Sequence, residues 1–279
     1  MQIVSRFAPS PTGRLHLGHA YSALCAHDFA RGAGGAFLLR IEDIDPGRSR
    51  SAFVDGIIED LLWLGLEWDD EIVYQSERLE LYGEALGKLK ARGLVYPCFC
   101  TRADIAASAA APHGPEGALY PGTCRGLADP DLARPHAWRL DVAKAMVEAG
   151  PLYWMDDETE VQAEPDRFGD VVLARKDAPA SYHLAVTVDD AAQGISDVVR
   201  GRDLIESTHV HRLLQALLGL PAPTYRHHAL ILDAAGRRLA KRRGAATLTA
   251  LREAGADPVA LVEDLRAGRM PAGYSLEEG

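Results

Sequence analysis

Two histidines three residues apart, His16 and His19, flank Leu17-Gly18 where a turn-rich stretch gives way to an apolar periodic one. At a helix start they would share one face, the glycine would let a flat group approach the backbone, and the helix N-terminus would favour developing negative charge. That combination handles phosphate. A bare H-x-G-H is explained equally well by capping and packing histidines, so the surrounding residues must decide. The second constellation is sulfur. Cys98-Phe99-Cys100 followed by Tyr120-Pro121-Gly122-Thr123-Cys124 gathers three thiols around a loop, and zinc prefers four tetrahedral ligands. For the missing ligand the spacing nominates His113 or Tyr120, and ordinary coordination chemistry favours the histidine. Cys25, on an apolar helix face, reads as a small core residue. Four cysteines in 279 residues, three of them clustered, suit metal binding better than a disulfide scaffold.

The elements that must position these groups follow from periodicity. Ile3–Phe7 is a short strand that stops at Pro9 and Pro11, and a helical pattern runs on from Gly18 to about Arg31. Phe37–Ile41 is an apolar run suited to a buried parallel strand. Ser51–Trp63 places Phe53, Val54, Ile57, Ile58, Leu61 and Leu62 on one helical face, with Asp55, Glu59 and Asp60 expected on the wet one. Glu77–Arg92 reads as a further helix. Regular alternation stops at the turn-rich Tyr96–Cys124 stretch, where Ala106–Ala111 reads as an exposed excursion, and resumes near Arg167. Beyond it come strand-like runs at Val171–Ala174 and Tyr182–Val188, a helix over about 205–218, a strand at Ala229–Leu232 and a helical tail. The alternation implies an α/β doubly wound parallel core. The expected divisions are 1–95 and 166–225 as two halves of that core, 96–165 as an insertion, and 226–279 as a loop and short tail.

Composition narrows the classes. Hydrophobic residues at 47% and charged ones at 25% suit a globular chain with a substantial core, and the net charge of −10 argues against a general nucleic-acid coat or DNA binding. The N-terminus shows no signal-peptide pattern and no apolar run approaches the ~18 residues of a membrane span, so a cytoplasmic protein, with no membrane partner, is expected. A monomer is expected.

The stretch Arg6-Phe7-Ala8-Pro9-Ser10-Pro11-Thr12-Gly13-Arg14-Leu15-His16-Leu17-Gly18-His19 resembles the first signature of the glutamyl-type class I aminoacyl-tRNA synthetases, and Leu39-Arg40-Ile41-Glu42-Asp43-Ile44-Asp45 resembles their next block. Ser181-Tyr182-His183-Leu184-Ala185, continued by Val188-Asp189-Asp190 and Val199-Arg200-Gly201-Arg202-Asp203-Leu204, is a third match. Arg238-Leu239-Ala240-Lys241-Arg242 stands where the family carries its KMSKS loop, with only Lys241 keeping its lysine. The resemblance spans residues 3–243. It implies a Rossmann-like fold that activates L-glutamate with ATP and Mg²⁺, the substrate carboxylate attacking the α-phosphate without an enzyme nucleophile. His16, His19 and Lys241 would then serve catalysis by positioning and charge, and His16, Gly18, His19 and Lys241 would bind ATP.

The family's amino-acid-binding positions fall on Arg6, Phe7, Ala8, Pro9, Ser10, Glu42, Tyr182 and Arg200, with Arg6 and Arg200 as carboxylate clamps and Glu42 as the ammonium partner. The resemblance also favours Tyr120 as fourth zinc ligand beside Cys98, Cys100 and Cys124. That pattern belongs to the branch that attaches glutamate to the queuosine base in the anticodon of tRNA(Asp). Thirty-eight residues follow Lys241, too few for an anticodon-reading domain, which points the same way. A truncated synthetase charging tRNA(Glu) and a non-catalytic paralogue with a binding or regulatory role are the alternatives. Any RNA would have to meet a local basic face built from Arg226, His227, His228, Arg237, Arg238, Arg242 and Arg243.

Overall fold

The computed structural model describes residues 2–107, 113–114, 117–239 and 246–277. In chain order the first elements are β1 (Val4–Phe7), α1 (Leu17–Gly32), β2 (Ala36–Ile41), α2 (Ser51–Trp63), β3 (Val73–Tyr74), α3 (Leu79–Ala91) and β4 (Val95–Cys98). Then come α4 (Arg102–Ala107), β5 (His113–Gly114), β6 (Gly117–Ala118), β7 (Ala137–Leu140), α5 (Val142–Ala149), β8 (Tyr153–Asp156) and β9 (Thr159–Gln162). The remainder are β10 (Val172–Ala174), α6 (Tyr182–Ala192), β11 (Asp197–Gly201), α7 (Ile205–Leu218), β12 (Thr224–His228), β13 (Ile231–Asp233), α8 (Leu248–Glu253), α9 (Pro258–Arg266) and β14 (Tyr274–Leu276).

The chain divides into two compact units, the first formed by residues 1–76, 195–205 and 223–279, the second by 77–194 and 206–222. In the first unit β1 pairs in parallel with β2, β2 with β3, and β11 with β12. Ser196 donates its backbone N–H to the Val4 carbonyl at 3.0 Å, which lays the entry to β11 beside β1. Helix α1 packs on β1, β2 and β11, burying Leu17, Ala20, Ala23, Leu24, Ala26 and Ala30. Small alanines let the helix approach the strands closely, and the core continues through Phe37, Leu39 and Ile41 to Val262 and Leu265. Cys25 packs at the edge of this core as a small apolar group.

The second unit is antiparallel in its strands. The sheet order is β10-β7-β4 with both pairings antiparallel, and β8 and β9 form an antiparallel pair. The α/β class therefore holds, with every parallel pairing given above in the first unit, and the strand at 172–174 belongs to an antiparallel sheet of the second. Several local expectations are corrected. Tyr182–Val188 is the start of helix α6 and not a strand, because Ser181 caps it by accepting from the Leu184 N–H. A further parallel pair comes from β11 and β12, and β13 starts two residues later than the expected strand. The tail is not wholly helical, since β14 pairs antiparallel with β13. Asp60, expected on the wet face of α2, is fully buried at 0% exposure. Residues 108–112 of the Ala-rich excursion and the 240–245 stretch, with Lys241, Arg242 and Arg243, lie outside the described residues.

Candidate active site and thiol cluster

The first unit gathers most of the sequence-nominated residues. Strand β1 carries Arg6 and Phe7, both buried, and runs into Ala8, Pro9 and Ser10. The Glu42 backbone N–H donates to the Pro9 carbonyl at 3.1 Å, so the ends of β1 and β2 stay together. Glu42 Oε1 lies 3.6 Å from Nη2 of Arg40, a guanidinium with no exposure at all. Arg200, in β11, is also buried. Its Nε donates to His227 Nε2 at 3.2 Å, its Nη2 donates to the Leu204 carbonyl at 3.0 Å, and its guanidinium sits 5.1 Å from the Tyr225 ring centre. A guanidinium cannot accept, so His227 Nε2 is the unprotonated nitrogen. Sequence reasoning placed His227 on an RNA face, whereas the structure makes it the partner of Arg200. Its register opposite Arg200 in the β11–β12 pair is legible only once that pairing is known.

The two signature histidines form a reciprocal cap. His16 is the residue before α1, extended at φ −130°, and so caps the helix instead of sitting on its face. Its Nδ1 accepts from the Gly18 N–H at 3.1 Å, and His19 Nδ1 accepts from the His16 N–H at 3.1 Å. Both rings therefore use Nδ1 as acceptor, which puts the proton of each neutral imidazole on Nε2. The ring centres are 3.8 Å apart. The arrangement offers two ring N–H donors at a positive helix end, suited to oxygen atoms carrying negative charge. Gly18 leaves room for it, since a β-carbon there would lie 3.1 Å from His16 Cε1 and crowd the ring.

Tyr182 begins α6 in the second unit, its ring 5.5 Å from that of His211. The thiol cluster is in that unit as well. Cys98, Cys100 and Cys124 bring their sulfurs within 4.8 Å of one another, with Cys100 Sγ 3.6 Å from both Cys124 Sγ and the Tyr120 hydroxyl. The cysteines are free. Tetrahedral zinc with Zn–S bonds of about 2.3 Å separates its sulfurs by roughly 3.8 Å, so the cluster fits such an ion. Burial pushes the Cys100 thiol up to about 11. At Cys124 burial acts in the same direction, but hydrogen bonding by Tyr120, the Phe99 backbone and the other two thiols outweighs it and lowers the value. Burial and the thiols hold the Tyr120 hydroxyl in its neutral form when no ion is bound. The Tyr120 hydroxyl also accepts from the Cys124 N–H at 2.8 Å, and the Arg139 guanidinium covers its ring at 4.0 Å. The side chain of His113 lies outside the described residues.

The expected basic face is largely neutralised. Arg226 pairs with Asp197 at 3.1 Å, Arg237 with Asp233 at 2.9 Å and Arg238 with Asp203 at 2.6 Å. His228 is inward-facing, within 3.0 Å of Ser22 Oγ, and burial lowers its pKa. Among the described residues no helix is long and apolar enough to cross a membrane.

The family model for the class I tRNA synthetases (E and Q), catalytic domain, matches residues 2–276, and the chain belongs to that family. It is an enzyme, a ligase of the aminoacyl-tRNA synthetase type. Among named relatives, a glutamyl-Q tRNA(Asp) synthetase of Rhodobacter capsulatus is 50% identical over 92% of this chain and 97% of its own length. Another glutamyl-Q tRNA(Asp) synthetase, from Symbiobacterium thermophilum, is 46% identical over 94% of this chain and 85% of its own. Among solved structures, a glutamate tRNA ligase of Elizabethkingia meningosepticum in complex with its amino acid superposes with a TM-score of 0.75 at 26% identity. That match covers 95% of this chain but only 60% of the ligase.

Proposed function

We propose that this chain activates L-glutamate with ATP and transfers it to the queuosine base in the anticodon of tRNA(Asp). The observation that carries the reading is the match, along nearly the whole of both chains, to relatives named for that activity. In the first step a glutamate carboxylate oxygen attacks the α-phosphorus of ATP, forming the mixed anhydride as the bond to pyrophosphate breaks. Transfer follows when a hydroxyl of the queuosine cyclopentene ring attacks the acyl carbon and AMP leaves. Neither step needs an enzyme nucleophile, so the chain acts by holding the reactants and stabilising charge. Arg6 and Arg200 hold the glutamate carboxylates, Glu42 its ammonium, and Phe7, Ala8, Pro9 and Ser10 complete the pocket, with Tyr182 assigned to glutamate by the family resemblance. His16 and His19 donate from Nε2 to phosphate oxygens beside Gly18, and Lys241 adds a cation as pyrophosphate charge develops. ATP arrives as its Mg²⁺ complex. Residues 96–165 act as an insertion into a doubly wound Rossmann-like core, and Cys98, Cys100, Cys124 and Tyr120 hold one structural zinc. Zinc would cross-link the segments that carry these four side chains.

The deciding experiment offers labelled glutamate and ATP to an anticodon stem-loop of tRNA(Asp) with queuosine, which has no acceptor end, and to the same stem-loop with guanosine. Labelling of the first alone is expected. Labelling only of full-length tRNA(Glu) at its terminal ribose would replace this reading with that of a truncated charger.

A further inference from the structure

Asp60 is the most deeply buried carboxylate of the first unit that the mechanism above leaves unused. It lies on α2 with no exposure, and neither oxygen finds a hydrogen-bond partner of ordinary geometry among the described residues. Its nearest cation is Arg252 of α8, with Nη1 at 3.5 Å, and the same guanidinium reaches Glu59 through Nη2 at 2.9 Å. A second cation is Arg14 of the signature segment. Its guanidinium crosses α2 over Gly56, so close that a β-carbon at Gly56 would lie 2.1 Å from Nη1, and its charge acts on Asp60. The groups facing Asp60 are thus Arg14, Arg252, Glu59 and, at longer range, the Thr249 hydroxyl.

Both cations lead back to the histidines. Arg14 precedes Leu15-His16 directly. Helix α8 is tied to the same two residues, because the Leu248 N–H donates to the Leu15 carbonyl at 2.9 Å and Thr247, which caps α8, bridges to His16. We propose that Asp60 is a positioning residue, whose negative charge draws Arg14 and Arg252 together so that Leu15-His16 is held between the signature turn and α8 with the His16 ring in its capping geometry. The inference rests on His16 and His19 acting on phosphate.

Charge and stability should separate here. Burial pushes the Asp60 carboxyl up to about 6 in spite of Arg252 and Arg14. A carboxylate raised in this way contributes stability at low pH that is lost as the pH rises through the folded value. Protonation therefore favours the fold while it weakens the clamp. At pH 8, Asp60→Asn is expected to leave the Tm unchanged or raised, to lower kcat of glutamate-dependent pyrophosphate exchange about tenfold, and to leave the glutamate KM within about twofold. The wild-type kcat should fall below about pH 6 while the variant lacks that acid limb. Gly56→Ala, which displaces Arg14 and leaves the carboxylate intact, should lower kcat in the same sense, and Arg252→Lys should keep more activity than Arg252→Met. Unchanged kcat and acid limb in a folded Asp60→Asn, or unchanged kcat in both Gly56→Ala and Arg252→Met should Asp60→Asn not fold, would overturn the proposal. If instead His16→Ala and His19→Ala leave exchange intact, the histidine reading itself fails.

Discussion

Gly18 has no β-carbon, and the His16 ring occupies the room that one would take. Gly18→Ala would bring a methyl group within 3.2 Å of His16 Nδ1, the atom that accepts from the residue-18 N–H, and press the ring a few tenths of an ångström out of its capping position. Since the residues proposed to hold glutamate lie outside this cap, exchange kcat is expected to fall roughly tenfold with glutamate KM nearly unchanged. Steady-state kinetics decide, and a rise in KM alone would count against the assignment. The Arg200–His227 contact gives the opposite signature. His227→Phe keeps a flat ring in place of the one stacked against Tyr225 but removes the acceptor for Arg200 Nε. A hydrogen bond to a charged group contributes about 1.5–3 kcal/mol, so glutamate KM should rise by about tenfold or more, with partial recovery in His227→Gln. Residue types and spacing are enough to nominate the two histidines, whereas Arg6, Glu42 and Arg200 are nominated only through the resemblance to the synthetase signatures. Asp60 and His227 were misassigned because a carboxylate among helix acids and a histidine among arginines look like surface groups until their neighbours from distant sequence are known.

At the scale of elements, what the sequence reveals depends on how one-sided the burial is. The bounds of helix α2 are legible to the residue from its 3.6-residue period, but its faces are not, since Asp60 is buried and Leu62, expected on the apolar face, is 55% exposed. Helix α6 was misread as a strand because every residue from His183 to Asp190 is buried, leaving no polar stripe to mark the 3.6-residue period, while Val186, Thr187 and Val188 favour strands. A testable join is that of α9 to α1. Arg266 grips Asp28 with two bonds of 2.7 Å. Burial would raise the Asp28 carboxyl, but hydrogen bonds from His27 and Arg266 prevail and hold it at about 2. Its contribution is present above the ordinary carboxylate value near 4 and is lost as pH falls towards 2. Both side chains are more than a third exposed, so Arg266→Ala should cost no more than about 1 kcal/mol at pH 7, and less near pH 2. Denaturant melts at the two pH values measure the difference, and an equal loss at both would show that the charge is not what matters.

At the scale of the whole molecule, the thiol cluster and the histidine cap belong to different compact units. Cys124→Ser is therefore expected to abolish metal retention, read by elemental analysis, while glutamate-dependent exchange persists at a reduced rate. Charge distribution sets the RNA affinity. A chain of net charge −10 must meet RNA through local cations, and Arg226, Arg237 and Arg238 are each paired with an aspartate, so few phosphates can be neutralised without breaking an internal pair. Binding of tRNA should be modest, with a shallow dependence of log Kobs on log salt. The Arg238–Asp203 pair offers the sharpest test, because Arg238 is 60% exposed and an exposed pair holds its cation weakly. In Asp203→Asn the guanidinium becomes available to a phosphate. If RNA reaches this face, the variant should bind tRNA(Asp) more tightly at low salt, with a slope steeper by about 0.7–0.9, the amount expected for one added phosphate contact. Titrations at several salt concentrations measure both quantities together. An unchanged slope in Asp203→Asn would place the RNA elsewhere on the chain.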